Sequence, residues 1–260
     1  MKRTAFLALR TALPLILGIL GTSVPAPSDE IRVMSSGGFA APLAQLIPRF
    51  ESATKNKVVV ITSSMGLGQN SIPNRVRSGE TADVVILPDE DLKQLINEGL
   101  IVNGSRVPLA NSNIGMAVRS GAPKPDISSV ETLKRTLLQA QSIAYSAQVS
   151  GQYLSTELFP RLGIAEQIKN KVKRVEVGRV GTVVARGEAE IGFQQISELL
   201  PIQGIDYVGP LPAEVQRTTL FSAGVPTIAK KIGTAKAFIG FLVSPEATST
   251  VTKAGLDPVR

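Results

Sequence analysis

The chain reads as an α/β protein built in two lobes, each around a central, mainly parallel sheet. Three observations lead there. Short apolar runs of strand length alternate with helical stripes. The alternation breaks near Asn111 and restarts at Ile114. A last block, residues 221–260, follows the stretch Gly209-Pro210-Leu211-Pro212 and reads as a return to the first lobe. The expected division is 31–111 plus 221–260 for lobe one and 114–212 for lobe two. Hinge segments lie at 111–115 and 209–219.

The elements follow in order. Residues 31–34 open lobe one as a strand, and Leu43, Leu46, Ile47 and Phe50 then keep helical spacing. KVVVIT (57–62) and ADVVIL (82–87) are buried-looking strands. Residues 89–98 form a helix with Leu92, Leu95 and Ile96 on one face, closed by Gly99. In the second block IGMAVR (114–119) is a strand. Ser128 and Glu131 have the spacing of a capping box for a helix carrying Leu133, Leu137 and Leu138. Residues 142–145, 172–177, 191–194 and 205–208 are strands, with helices near 152–162 and 180–186. Residues 218–225 make a strand leading to two closing helices, 234–243 and 245–254. Ser244 caps the last of these, Pro245 takes its first turn and Gly255 stops it.

Ahead of this body stands a basic start (Met1-Lys2-Arg3), an apolar run over 6–21, small residues, and then Ser28-Asp29-Glu30. That order is the layout of a secretory signal peptide, here 1–26, and it predicts a periplasmic address. An uncleaved anchor is the alternative. Its uninterrupted apolar part, 12–21, contains Pro14 and falls short of the ~20 residues a spanning helix needs. Cleavage after Ala26 or after Ser23 both suit the pattern. Three of the 28 cations leave with this segment, so 25 face 21 anions and the formal charge drops from +7 to +4.

What the chain lacks narrows its chemistry. It has no Cys, so no disulfide or thiolate. It has no His, which excludes Ser-His-Asp triads and His-ligated metals, and no metal or cofactor is expected. The basic run KNKVKR (169–174) has no interleaved aromatic residues and reads as a solvated face, so no nucleic-acid partner is expected. Ser52 and Lys55 have the spacing of a nucleophilic dyad but sit at the polar end of the first helix.

Two loops that follow a strand and precede a helix are the candidate site. One is Ser35-Ser36-Gly37-Gly38. The other contains Ser63 and Ser64. Free N–H groups at a helix start, glycines and hydroxyls suit an oxyanion or a carboxylate. Capping and turn formation are the structural reading of the same residues. Neither loop is a phosphate loop or a dinucleotide fingerprint. In the second block Ser150-Gly151-Gln152 opens a helix. Arg179, before another helix, could clamp a carboxylate or be a surface cation. Gln194 and Gln195 end a strand and either face the cleft or cap the sheet. Asp83 reads as structural.

Four blocks, VMSSGGFAAPLAQLIPRFE, GETADVVILPDEDLKQLINEGLI, RGEAEIGFQQISEL and FIGFLVSPEATSTVTKAGLDPV, make the chain similar to the periplasmic molybdate-binding proteins of ATP-driven importers. The resemblance covers nearly the whole body and implies the type II periplasmic-binding fold. It implies an oxyanion held by uncharged donors. These fall near Ser35, Ser36 and Gly38, at Ser63 or Ser64, near Ser150, near Arg179 and, in place of the family's Tyr, at Gln195. A Ser and a Tyr are lost and an Arg gained, which admits a small organic carboxylate as the alternative ligand. The function so implied is capture of a small anion for a membrane permease by a monomer, with no bond made or broken. A secreted enzyme using Ser and carboxylates is the alternative of another class, and a regulator's sensing half is a third.

Overall fold

The computed structural model describes residues 28–61 and 70–259. The proposed signal segment and the loop bearing Ser63 and Ser64 lie outside the described residues. Lobe one is a six-stranded sheet in the order β11-β4-β10-β3-β1-β2. Its strands are β1 (Glu30–Ser35), β2 (Lys57–Ile61), β3 (Val84–Pro88), β4 (Val107–Ser112), β10 (Thr219–Gly224) and β11 (Leu256–Pro258). Lobe two is a five-stranded sheet in the order β7-β6-β8-β5-β9. It contains β5 (Ile114–Arg119), β6 (Ile143–Ser146), β7 (Val172–Val175), β8 (Ile191–Gln195) and β9 (Ile205–Pro210).

Three strands of each sheet run parallel, β2-β1-β3 and β7-β6-β8. The strands through which the chain passes between the lobes, β4, β5, β9 and β10, pair antiparallel. A strand that enters a neighbouring sheet directly, without a crossover helix, has no means of running parallel to its partner. The outgoing crossing is Asn113 and the return spans 211–218. Gln216 ties the two together: its Oε1 accepts from the Ile114 N–H and its Nε2 donates to the Ile114 carbonyl, both at 2.9 Å.

Helices cover the sheets. In lobe one they are α1 (Gly37–Thr54), α2 (Ile72–Arg77), α3 (Asp89–Asn97), α10 (Ile232–Leu242) and α11 (Pro245–Lys253). In lobe two they are α4 (Val130–Gln139), α5 (Val149–Tyr153), α6 (Phe159–Arg161), α7 (Ala165–Ile168), α8 (Val180–Ala185) and α9 (Ile196–Leu199). A π-helical turn, Leu154–Leu158, joins α5 to α6. The apolar stripe of α1 buries Phe39, Leu43, Leu46 and Phe50. Phe50 meets Phe238 of α10 edge-on, with ring centroids 4.9 Å apart. Such an aromatic pair adds about 1 kcal/mol to what area burial supplies.

Two local expectations are corrected. The capping box is formed by Ser129 and Thr132, because the Ser128 N–H is taken by Asp126 Oδ1 at 2.9 Å in a turn just outside the helix. Ser244 stands at the N-cap of α11, but its hydroxyl makes no capping bond. Asp83 is structural as read. One of its oxygens accepts from the Arg32 N–H, the other from the N–H groups of Lys230 and Lys231, so it fastens β1 to the segment before α10.

Candidate functional site

The parallel strands β1, β6 and β8 end at the interlobe cleft and each runs into a short turn and a helix start. Such a place is where open α/β sheets bind ligands. α1 begins there, and its proline pattern matters. Pro42 has no N–H, so the carbonyl of Gly38, four residues earlier, has no helical partner. That carbonyl accepts instead from the Ser197 hydroxyl of lobe two at 2.7 Å, fully buried. The start of α1 is thereby seated on α9. At Gly37 a Cβ would collide with Oε1 of Glu198, and at Gly38 with the ring of Phe221. Both glycines are there because the two lobes and β10 approach too closely for a side chain.

The cleft opens as a cavity of about 1080 Å³, lined from lobe one by Ser35, Gly37, Arg75 and Glu80 and from lobe two by Gln148, Arg179 and Glu198. A narrow inner recess of about 20 Å³ continues it, between Ser36, Gly38, Gln148, Ser150, Gln195 and Glu198. The recess is large enough for one oxygen-sized group.

The residues singled out in the sequence divide as follows. Ser36 is the N-cap of α1 but makes no side-chain capping bond, and its buried Oγ has no hydrogen-bond partner among the described residues. An orphaned hydroxyl beside a polar recess is a donor awaiting an acceptor. Ser35 is buried at the cavity wall, and its Oγ donates to the Ser36 carbonyl at 3.1 Å. Ser150 is buried against the recess. Gly38 lies there too, with Phe221 filling the space a side chain would take. Arg179 reaches the main cavity as the residue before α8. Gln195 borders the recess, and its amide bridges β4 and β10: Oε1 accepts from Ser112 Oγ at 2.7 Å and Nε2 donates to Thr219 Oγ1 at 3.1 Å.

Four charged or amide residues of the lining escaped the sequence reading: Arg75, Glu80, Gln148 and Glu198. Arg75 lies on α2, and its guanidinium bonds Glu80, Nε to Oε2 at 2.7 Å. That bond is the main cause holding the Glu80 carboxyl below its ordinary value. Glu198 is 8% exposed, in a four-residue helix, under the first turn of α1. Burial pushes its carboxyl up to about 7, against the opposing pull of Arg179 and a hydrogen bond from Gln194. Gln194 is itself fixed by accepting from the Val180 N–H at 2.9 Å. Glu198 therefore gives up or takes a proton close to neutral pH, a property typical of acid–base groups in clefts.

Comparison with known proteins agrees with this architecture. Residues 31–257 match the model of the bacterial extracellular solute-binding protein family, and the chain belongs to that family. Among curated proteins, a molybdate-binding protein of Azotobacter vinelandii is 24% identical over 88% of this chain and 90% of its own. The solved structure of an Azotobacter vinelandii periplasmic molybdate-binding protein superposes with a TM-score of 0.73 at 21% identity, over 88% of this chain and 100% of that one. The chain is thus a divergent relative of the periplasmic molybdate-binding proteins, with their two-lobe fold. A protein of Pseudomonas sp named aconitate isomerase is 42% identical over 90% of this chain and 89% of its own length.

That last relative overturns the expectation that a chain of this kind makes and breaks no bond, since it carries the name of an enzyme. The expectation rested on the resemblance to binding proteins, and a secreted enzyme using Ser and carboxylates stood beside it as the alternative. Family membership supports a small ligand and a membrane permease as partners and an extracellular setting. Among the described residues no helix is long and apolar enough to cross a membrane.

Proposed function

We propose that the cleft binds a small unsaturated polycarboxylate and isomerises it, aconitate being the substrate. The observation that carries this is the placement of Arg75 and Arg179, one from each lobe, on a single cavity of about 1080 Å³. A lone tetrahedral oxyanion fills a small fraction of that space. A tricarboxylate is long enough to span it, with one carboxylate toward Arg179, one beside the Arg75–Glu80 pair and the third toward the Ser36 hydroxyl, Ser150 and the first-turn N–H groups of α1. Arginine suits that task through its paired, fixed donors. The 42% identity to an aconitate isomerase supports the same substrate class.

The isomers of aconitate differ in the geometry about one C=C bond, so the cleft must either move that bond or let it rotate. Lobe closure, with hinges at Asn113 and 211–218, encloses the substrate between the two arginines. Isothermal titration with tricarballylate (the saturated tricarboxylate), molybdate, sulfate and succinate tests the ligand class. Tricarballylate is expected to bind at micromolar levels. Arg179→Ala and Arg75→Ala should each weaken it about tenfold or more, the loss of one charge-assisted pair. Binding of molybdate in preference to any carboxylate would refute the assignment.

A further inference from the structure

We infer that Glu198 is the catalytic residue of this cleft, the carboxylate that takes a proton from one carbon of the bound polycarboxylate and returns it to another. The inference rests on the isomerase reading of the site and names the group that does its chemistry.

Elimination on geometry comes first. The chain has no His and no Cys. Among the described residues lining the main cavity and its recess, the carboxylates are Glu80 and Glu198. Glu80 is clamped by Arg75, which keeps it ionised and makes it a weak base. A guanidinium offers donors and no acceptor, which sets Arg75 and Arg179 aside as bases. Residues 62–69, outside the described residues, read Thr-Ser-Ser-Met-Gly-Leu-Gly-Gln and contain no titratable side chain.

Position is the second support. Glu198 lines both the cavity and the recess. It belongs to lobe two, yet its Oε1 lies against Gly37 of lobe one. The group thus belongs to one lobe and packs against the other. The surroundings supply the third support. On its own lobe Glu198 faces the cation Arg179 and the neutral amide of Gln194; from α1 it faces Gly37, which has no side chain. Burial is the largest influence and brings the carboxyl to about 7, near the pH at which a base works best.

The step balances without a co-reactant. The Glu198 carboxylate removes a proton from the methylene carbon of aconitate. The C–H electron pair becomes a new C=C bond to the central carbon. The electrons of the old C=C bond move to the far carbon, which then takes the proton back from Glu198. One C–H bond breaks and one forms, and nothing is oxidised or reduced. Negative charge spreads over the allyl unit and its carboxylates in between, close to Arg179 and the positive end of α1. The geometry of the product follows from how the methylene arm is turned when the proton leaves.

The test uses Glu198→Gln and Glu198→Asp in the full mature protein, with aconitate for turnover and tricarballylate for binding. The expected result for Glu198→Gln is a fall in kcat of about 10³-fold, within the ordinary range for losing a general base, with tricarballylate affinity within about threefold of wild type or tighter. Glu198→Asp should keep partial turnover. Aconitate dideuterated at its methylene carbon should show a slowed kcat and lose one deuterium from that carbon. Three results would overturn the assignment. One is turnover by Glu198→Gln close to wild type. Another is a loss confined to KM, which would make Glu198 a binding group. The third is product with both deuterons in place, which would mean rotation about the double bond. An inactive wild-type protein would instead remove the isomerase reading itself.

Discussion

Ser197 Oγ donates to the Gly38 carbonyl at 2.7 Å, joining a lobe-two helix to the first turn of a lobe-one helix across 159 residues of sequence. The acceptor is available because Pro42 supplies no N–H. The bond sets the spacing between the lobes at the point where Glu198 and Gly37 meet.

Ser197→Ala should therefore weaken closure as well as stability. It leaves the buried Gly38 carbonyl without either partner, a cost of about 1–3 kcal/mol. Urea unfolding should show a loss in that range, and tricarballylate should dissociate faster. An unchanged midpoint would mean that the lobes are held together elsewhere.

Gly37→Ala places a methyl group where Oε1 of Glu198 lies. Overpacking of this kind costs roughly 1–3 kcal/mol and acts here on closure. The expectation is about tenfold weaker tricarballylate binding with an unaltered circular-dichroism spectrum, and a larger radius of gyration for the liganded protein by X-ray scattering.

The Glu198 carboxyl is raised from 4.5 to about 7, so the folded state holds this proton more tightly than the unfolded state does. Its stabilising contribution is fully present below about 4.5 and is lost as pH rises through about 7. Glu198→Gln, which never ionises, should match wild type near pH 4 and exceed it at pH 8 by on the order of 3 kcal/mol. Denaturant titration of the unliganded proteins at the two pH values measures this difference.

Asp89 behaves oppositely. Burial alone would raise its carboxyl, but hydrogen bonds from Arg106, Ser222 and Lys93 outweigh burial and bring it down to about 2. Arg106 Nε lies 2.6 Å from Oδ1 and Ser222 Oγ 2.6 Å from the same atom. The folded value lies below 3.8, so this contribution is present above about 3.8 and lost as pH falls through about 2. It amounts to about 2 kcal/mol. Asp89→Asn should lose at least that much at neutral pH, with the gap to wild type closing in acid.

Much of the framework could be read from local pattern. The strands over 114–119 and 191–195 and the helix after Pro88 follow from side-chain period alone. β4 was hidden because VPLANS has a proline and a polar end; it exists through pairing with β10 and β11, far away in sequence. α2 is six residues long, too short to show a period. Around the cleft, Ser36, Ser150 and Arg179 could be singled out because each stands at a strand-to-helix turn. Glu198 was not. An acid in the run QQISEL looks like a surface residue, and its burial comes from α1 of the other lobe. The most informative group in the cleft is thus one whose properties arise from tertiary contact.

The central claim is that this binding-protein fold carries out turnover. Incubating the purified protein with a large excess of cis-aconitate and following the trans isomer by proton NMR tests this. Many equivalents of trans-aconitate per protein are expected, approaching the same equilibrium mixture from either isomer. Uptake of one equivalent with no interconversion would contradict it.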